Sequence, residues 1–271
     1  MEENAHILLT NDDGIRSPGL WAAAEALQAL GTVTVVAPQE QWSGAGRSLP
    51  SNSSGRIHTE RLPVGGRDWD VYAIEGTPAQ AVQHAVLEIM PRRPDLVVAG
   101  INYGENVGSG VTISGTVGAA LEGACFGVPA LAISLQTEVH FNLSYSTQVD
   151  FSAAAFFTAK FAGLLLRLPR LPDLDVLKVE VPEGAQPDTP WRVTRVSRQR
   201  YYHPVKPDRA ALSDEGHVGY YRAVETAQLE PDSDVSALVA GCVSVTPLSL
   251  DITSRVDFGE LRQALAHHLP A

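Results

Sequence analysis

Four short apolar runs punctuate the first half of the chain, at residues 6–10, 33–37, 96–100 and 130–135. Each is about the length of a strand, and most are rich in Val, Ile and Leu without polar alternation. An unbroken apolar run suits a parallel strand covered on both faces, whereas a strand with one wet face alternates. Helical signals separate the runs. Ser17-Pro18 joins a good N-cap to a residue tolerated at the first helical position. It predicts a helix through Leu20, Trp21, Ala24 and Leu27 to about Leu30, stopped by Gly31. Thr77-Pro78 repeats the signal ahead of Ala81, Val82, Ala85, Val86 and Ile89. Ser114-Gly115-Thr116 opens a third helix through Ala120, Leu121 and Ala124 to Gly127. This alternation predicts βαβ units and an α/β fold, a Rossmann-like doubly wound and mostly parallel sheet. A β-rich insertion fills 56–75.

The second half reads differently. Residues 151–168 form a strong helix pattern, 175–181 and 191–196 read as strands, 241–248 as another strand, and 258–268 as a closing helix. Between them, 198–234 is polar, aromatic and broken by Pro and Gly, with paired tyrosines at Tyr201-Tyr202 and Tyr220-Tyr221. Aromatic area is costly to leave wet, so this hairpin arm is expected to pack on a partner subunit. Three parts result: a Rossmann-like catalytic core over 1–197, an oligomerisation arm over 198–234, and a strand and helix over 235–271 that complete the fold.

Composition narrows the function. The chain has 271 residues, 31 acidic and 20 basic, for a net charge of −11, with 44% hydrophobic residues. That is a globular composition, and its acidity argues against a nucleic-acid polymer, which needs clustered Lys and Arg. A small anion remains possible where a bound cation or backbone dipoles reverse the local field. Cys125 and Cys242, the two cysteines, sit among small apolar residues and are expected to be buried thiols, not a disulfide framework. Met1-Glu2-Glu3-Asn4 does not open as a secretory signal does, and the longest apolar stretch, 153–168, is interrupted by Lys160 and Arg167. The expectation is a soluble cytoplasmic protein with no membrane partner.

Three polar loops follow three candidate parallel strands, and ligands of open α/β sheets bind at those carboxyl ends. The first is Thr10-Asn11-Asp12-Asp13-Gly14. It is good turn chemistry as well as a candidate site, because adjacent carboxylates repel unless a cation lies beside them. All-oxygen ligands suit Mg²⁺, Mn²⁺ or Ca²⁺, whereas the scattered histidines and cysteines do not suit zinc. The second loop, 37–46, carries Ser43, which is open between metal ligand, nucleophile and turn residue. Gln41 stands where a nucleophile elbow needs Gly. The third is Gly100-Ile101-Asn102-Tyr103-Gly104-Glu105-Asn106-Val107-Gly108-Ser109-Gly110, followed by the Ser114-Gly115-Thr116 helix start. Such a loop turns backbone N–H groups toward a ligand, and a helix start binds anions. Thr116 replaces the lysine of an ATP-binding loop, and Ile113 breaks a dinucleotide fingerprint.

Together the loops predict one site. Asp12, Asp13, Ser43 and Asn102 offer oxygen to a cation, and Ser114, Gly115 and Thr116 hold phosphate beside it. Phosphate ester hydrolysis by a metal-activated water is the natural chemistry, with Asp12 or Asp13 orienting that water. The histidines, His58, His84, His140, His203 and His217 among them, are assigned no role; Asp251 and Asp257 read as caps or surface charges.

At these residues the sequence resembles the survival protein SurE family of 5′/3′-nucleotidases. The matching segments are Ile7-Leu8-Leu9-Thr10-Asn11-Asp12-Asp13-Gly14, Val35-Val36-Ala37-Pro38 with Ser43-Gly44-Ala45, Gly76-Thr77-Pro78, and 94–102 with Gly104 and Asn106. They continue with Ser114-Gly115-Thr116-Val117, Glu122-Gly123, Asp234 with Ala237, and Val243-Ser244-Val245-Thr246-Pro247-Leu248. The resemblance implies a Rossmann-like fold with a C-terminal swapping arm, assembled as a homodimer or homotetramer. It implies one divalent cation per subunit, Mg²⁺ or Mn²⁺, and hydrolysis of nucleoside 5′- and 3′-monophosphates, with short polyphosphate as a further substrate. Asp12, Asp13, Ser43 and Asn102 match the family's metal ligands, Asp12 and Asp13 being the catalytic pair. Asn11, Asn106 and Ser114–Thr116 are assigned to phosphate. The approach to Ser43 through Gln39–Trp42 departs from the family pattern, and Cys242 stands where an aromatic residue is expected. Two rival readings are a phosphotransferase forming an aspartyl-phosphate on Asp12 and a non-enzymatic nucleotide sensor. The first lacks the Asp-x-Asp spacing of its class, and the second has no need of two carboxylates.

Overall fold

A computed structural model describes residues 4–138, 141 and 145–268. Among the sites considered above, His140 and residues 1–3 lie outside them. In chain order the elements are β1 (Ala5–Thr10), α1 (Pro18–Leu27), β2 (Gly31–Pro38), β3 (Ile57–Val64), β4 (Arg67–Ile74), α2 (Pro78–His84), β5 (Leu96–Tyr103), α3 (Gly115–Cys125) and β6 (Ala130–Leu135). There follow α4 (Ser152–Leu165), β7 (Val176–Val181), β8 (Trp191–Val193), β9 (Tyr202–Val205), β10 (Gly219–Arg222), α5 (Asp234–Val239), β11 (Val243–Leu248) and α6 (Phe258–His268).

One nine-stranded sheet runs in the order β3-β4-β2-β1-β5-β6-β7-β11-β8. From β4 to β7 every neighbour is parallel; β3 and β11 pair antiparallel with β4 and β7, and β8 lies parallel on β11. The doubly wound expectation therefore holds, and the insertion is the β3–β4 hairpin. The chain leaves β1 toward β2 on one side and returns to β5 on the other. That reversal is where an open sheet gapes at its carboxyl edge.

The unbroken apolar runs are divided between two faces. Ile7 and Leu9 join Leu20, Trp21, Phe157 and Phe161 beneath α1 and α4. Leu8, Val36 and Val97 face the opposite way, toward Val82, Val117 and Ala120 of α2 and α3. Side chains alternate across a strand, so both faces need apolar residues once helices cover both. A third cluster, Val107 with Tyr201, Val235 and Leu238, ties the arm to the core.

Some details differ from the pattern. α1 stops at Leu27, and Gly31 is the first residue of β2, paired with Ala5, where a Cβ would stand 2.1 Å from the Ala5 carbonyl oxygen. That glycine serves strand approach and not helix termination. Ser17 stands at the N-cap without a capping bond, while Thr77 forms a full capping box with Gln80. Cys242 is buried as expected, but Cys125 is exposed. It closes α3, whose buried face is built from Gly, Ala, Val, Thr and Glu122; position on the helix, not the apolar neighbourhood, decides its exposure. α6 forms, yet every one of its residues is exposed. Asp257 caps α6, accepting from the Glu260 N–H at 2.8 Å, while Asp251 is an exposed surface charge that accepts from the Thr253 N–H at 2.8 Å. No helix among the described residues is long and apolar enough to cross a membrane.

Candidate active site

The loop after β1 is built by its own side chain. Asn11 closes the turn on Gly14, Nδ2 donating to the Gly14 carbonyl and Oδ1 accepting from its N–H, both at 3.1 Å. Gly14 has φ +98°, a conformation that L side chains rarely adopt. The turn carries Asp12 and Asp13, both buried, beyond the end of β1.

Asp12 lies against the start of α3. Its Oδ1 accepts from the Thr116 hydroxyl at 2.5 Å, and a Cβ on Gly115 would stand 2.7 Å from its Oδ2. Only glycine lets the helix start come this close. Asp13 reaches two other loops: Oδ2 accepts from the Tyr103 N–H at 3.2 Å and Oδ1 from Gln41 Nε2 at 3.1 Å. Burial raises the Asp12 carboxyl, while the Thr116 hydroxyl and the backbone N–H groups of Asp12, Thr116 and Gly115 pull it back down. Burial, and then the Asp12 charge, hold Asp13 well above the ordinary range of an aspartate. Among the described residues no lysine or arginine pairs with either.

A cleft of about 610 Å³ opens in front of the pair, lined by Asp12, Ser43, Asn102, Asn106 and Ser114. Asp13 sits behind this lining and touches it through Tyr103. Asn11, Gly115 and Thr116 do not line the cleft; Asn11 closes the turn, and the other two hold Asp12. Ser114 caps α3, its Oγ accepting from the Val117 N–H at 3.1 Å. Asn102 donates through Nδ2 to the carbonyls of Tyr103 and Gly104, at 3.0 and 2.6 Å, which leaves Oδ1 as its available acceptor. Ser43 rides an exposed loop, but the loop is anchored. The Trp42 N–H donates to the Asp12 carbonyl at 2.7 Å, and Arg47 pairs with buried Glu122 at 2.6 Å. The Trp42 side chain is exposed and does not line the cleft.

These donors fit a hard divalent cation. Two buried carboxylates without a basic partner carry charge that such an ion would neutralise, and an amide oxygen and a hydroxyl complete an all-oxygen set. Among the described residues no group of three or more His, Cys, Asp or Glu is arranged to hold a metal ion. The histidines stand elsewhere: His58 bonds Glu75 at 2.8 Å, His84 bonds Glu88, and His203 stacks on Tyr221.

Two features went unread in the sequence. The first is a dry charge network behind the cleft. Lys178 is fully buried, and its Nζ donates to the Asn106 carbonyl at 2.9 Å, Asp234 Oδ2 at 3.1 Å and Glu180 Oε1 at 3.4 Å. Glu180 accepts from the Asn106 N–H at 2.9 Å, and Asp234 from the Gly108 N–H at 3.2 Å. The network fixes the loop that carries Asn106. Burial pushes Glu180 up to about 7 against the pull of Lys178. Its signal was present in β7, Val176-Leu177-Lys178-Val179-Glu180-Val181, where two charges two residues apart share one face of an apolar strand. The second is the arm, which folds back so that Arg200, Tyr202 and Tyr220 line the cleft. Arg222 latches it through buried Glu105 at 2.8 Å, and the Tyr202 hydroxyl donates to the Glu105 carbonyl at 3.0 Å.

The model of the family described as Survival protein SurE matches residues 7–203. The chain belongs to the SurE family. A protein named 5′-nucleotidase SurE from Thermococcus gammatolerans is 41% identical over 261 residues, covering 96% of this chain and 95% of that protein. One of the same name from Archaeoglobus fulgidus is 41% identical over 254 residues, covering 93% and 94%. The crystal structure of the SurE protein from Aquifex aeolicus superposes with a TM-score of 0.73 at 31% identity, covering 97% of this chain and 98% of that one. The fold read from the apolar runs is thus a SurE fold.

The raised carboxyls set the sign of the pH dependence. An acid whose folded pKa lies above its unfolded value stabilises fully below the unfolded value and loses that contribution as pH rises through the folded one. Asp13→Asn is expected to raise the stability of metal-free protein at pH 8 by about 0.5–2 kcal/mol. A lower denaturation midpoint than wild type in chelator contradicts this. For Glu180, a rise from 4.5 to about 7 makes about 3 kcal/mol pH-dependent. Urea denaturation between pH 5 and 8 should show wild type losing stability more steeply than Glu180→Gln; parallel profiles would be the contrary result.

Proposed function

We propose that this chain is a divalent-cation-dependent 5′-nucleotidase that releases phosphate from nucleoside 5′-monophosphates and also accepts 3′-monophosphates and short polyphosphate. The relatives named 5′-nucleotidase SurE support the activity. The observation that carries the metal requirement is the buried Asp12–Asp13 pair, open to a cleft and without a basic partner among the described residues.

In this reading Asp12, Asp13, Ser43 and Asn102 hold one Mg²⁺ or Mn²⁺ per subunit. When bound, such an ion neutralises phosphoryl charge and makes water a stronger nucleophile. Asp12 and Asp13 orient the attacking water. Ser114, whose Oγ accepts from Val117, keeps its hydroxyl proton for a phosphate oxygen. Asn106 offers the phosphate its remaining amide capacity, its Nδ2 being bonded to Ser134 at 3.0 Å. Asn11, Gly115 and Thr116 act through Asp12. A water oxygen bonds to phosphorus, the ester P–O bond breaks, and the protons of water are shared between phosphate and the released nucleoside hydroxyl. The cleft size suits one mononucleotide.

The subunits are proposed to form a homodimer or homotetramer through the arm and α6. Phe258, Leu261 and Leu265 share one face of α6 and are all exposed in the single chain. The two free cysteines suit the reducing cytoplasm, where we place the protein.

Phosphate release from a nucleoside 5′-monophosphate is expected to vanish in chelator, to return with Mn²⁺ or Mg²⁺, and to fall about 100-fold or more in Asp12→Asn. Full activity in chelator, or in that variant, overturns the metal-dependent mechanism. Removing α6 should lower the solution mass by light scattering to that of a smaller assembly; an unchanged stoichiometry means that α6 does not hold the subunits together.

A further inference from the structure

The lining of the cleft falls into two chemically different sets. One is Asp12, Ser43 and Asn102 from the loops beyond the sheet; the other is Tyr202, Pro204, Val218 and Tyr220 of the arm, with Arg200 among them, while Ile113 lines the cleft beside the Ser43 loop. The second set belongs to the arm and its β9–β10 hairpin, in which Tyr220 pairs with Pro204 across the ladder. Its rings form an ordered edge: Tyr201 meets Tyr202 at 5.0 Å and Tyr202 meets Tyr220 at 5.2 Å, both edge-on. The inner ring is fixed, because the Tyr202 hydroxyl donates to the Glu105 carbonyl and Arg222 ties the same hairpin to the Glu105 carboxylate. Tyr220 is 42% exposed and Ile113 is 60% exposed, although both line the cleft. An apolar, partly aromatic wall continuous with an anion-binding floor suits an amphiphilic ligand, with charge at one end and a flat ring at the other.

We propose that the aromatic face of the β9–β10 hairpin, with Tyr220 at its edge and Ile113 lining the same cleft, is the nucleobase-stacking wall of this site. The inference rests on the nucleotidase reading for the class of substrate, and on the geometry of the arm for the position of the base. A ring stacked here is held by its π-face, which every base offers, so the wall tolerates different bases and favours the larger purines. The arm thereby gains a role besides assembly: it completes the substrate pocket of its own subunit.

The test uses the full chain and two substrates, adenosine 5′-monophosphate and ribose 5-phosphate, which lacks the base. Tyr220→Ala is expected to lower the ratio of kcat/KM for the first over the second by about tenfold, mainly through KM. Tyr220→Phe should restore it, and Ile113→Ala should shift it in the same direction. A ratio unchanged in both alanine variants overturns the proposal, as does an equal loss on both substrates. Adenosine binding, measured by calorimetry without turnover, provides the separate readout. Weaker binding in Tyr220→Ala supports the wall even if wild type releases no phosphate, an outcome that would sink the nucleotidase reading alone. Equal adenosine affinity in wild type and variant overturns the wall, whatever the activity.

Discussion

Two aspartates side by side, buried and without a basic partner among the described residues, are the constraint around which the carboxyl edge of this sheet is arranged. Burial and mutual repulsion both disfavour their charge. Each is therefore held by neutral donors from other parts of the chain. Asp12 is held by Thr116 and the start of α3, and Asp13 by the Tyr103 N–H and Gln41. In meeting those needs, the loops after β1, β2 and β5 and the start of α3 are drawn into one cluster. The glycines follow from the same demand, since Gly115 admits Asp12 where any Cβ would collide.

A second buried charge cluster lies behind the first and is satisfied in the opposite way. Lys178 stands between Glu180 and Asp234, and backbone N–H groups of the Asn106 loop complete the carboxylates. Such a group is costly to break, because removing one member leaves the others buried and uncompensated. The contrast is informative. Where charge only positions a loop, the fold supplies its own counter-charge. Where the proposed chemistry occurs, the fold leaves charge open to a ligand.

Hydrophobic surface shows the same division between what the single chain completes and what it leaves open. The two faces of the central strands are covered by α1 with α4 and by α2 with α3. The arm is latched onto its own cleft through Glu105 and Arg222. Phe258, Leu261 and Leu265 of α6 are left exposed, and the proposed assembly rests on that face.

Much of the fold was legible in the chain because it rests on local rules. Unbroken apolar runs and the Ser-Pro and Thr-Pro starts each reflect a few neighbouring residues, and they led to a Rossmann-like sheet. The convergence of Asp12, Ser43, Asn102 and Ser114 on one cleft was also legible, since topology brings the loops after parallel strands together, whereas Asn106 was assigned through the family resemblance. Tertiary structure decided what depends on contacts across long stretches of chain. It turned Asn11 inward to close a turn, and it set Gly115 and Thr116 against Asp12 rather than into the cleft. It exposed Cys125, and it brought Lys178 and Glu180 of β7 together with Asp234 of α5, 56 residues beyond Lys178. The physical reason is the same throughout. The sequence by itself determines which residues can make a strand, a cap or an oxygen donor, whereas burial and partner choice belong to the packed molecule. Only there does an aspartate meet a helix start, a lysine lose its water, and a tyrosine arm close over the site.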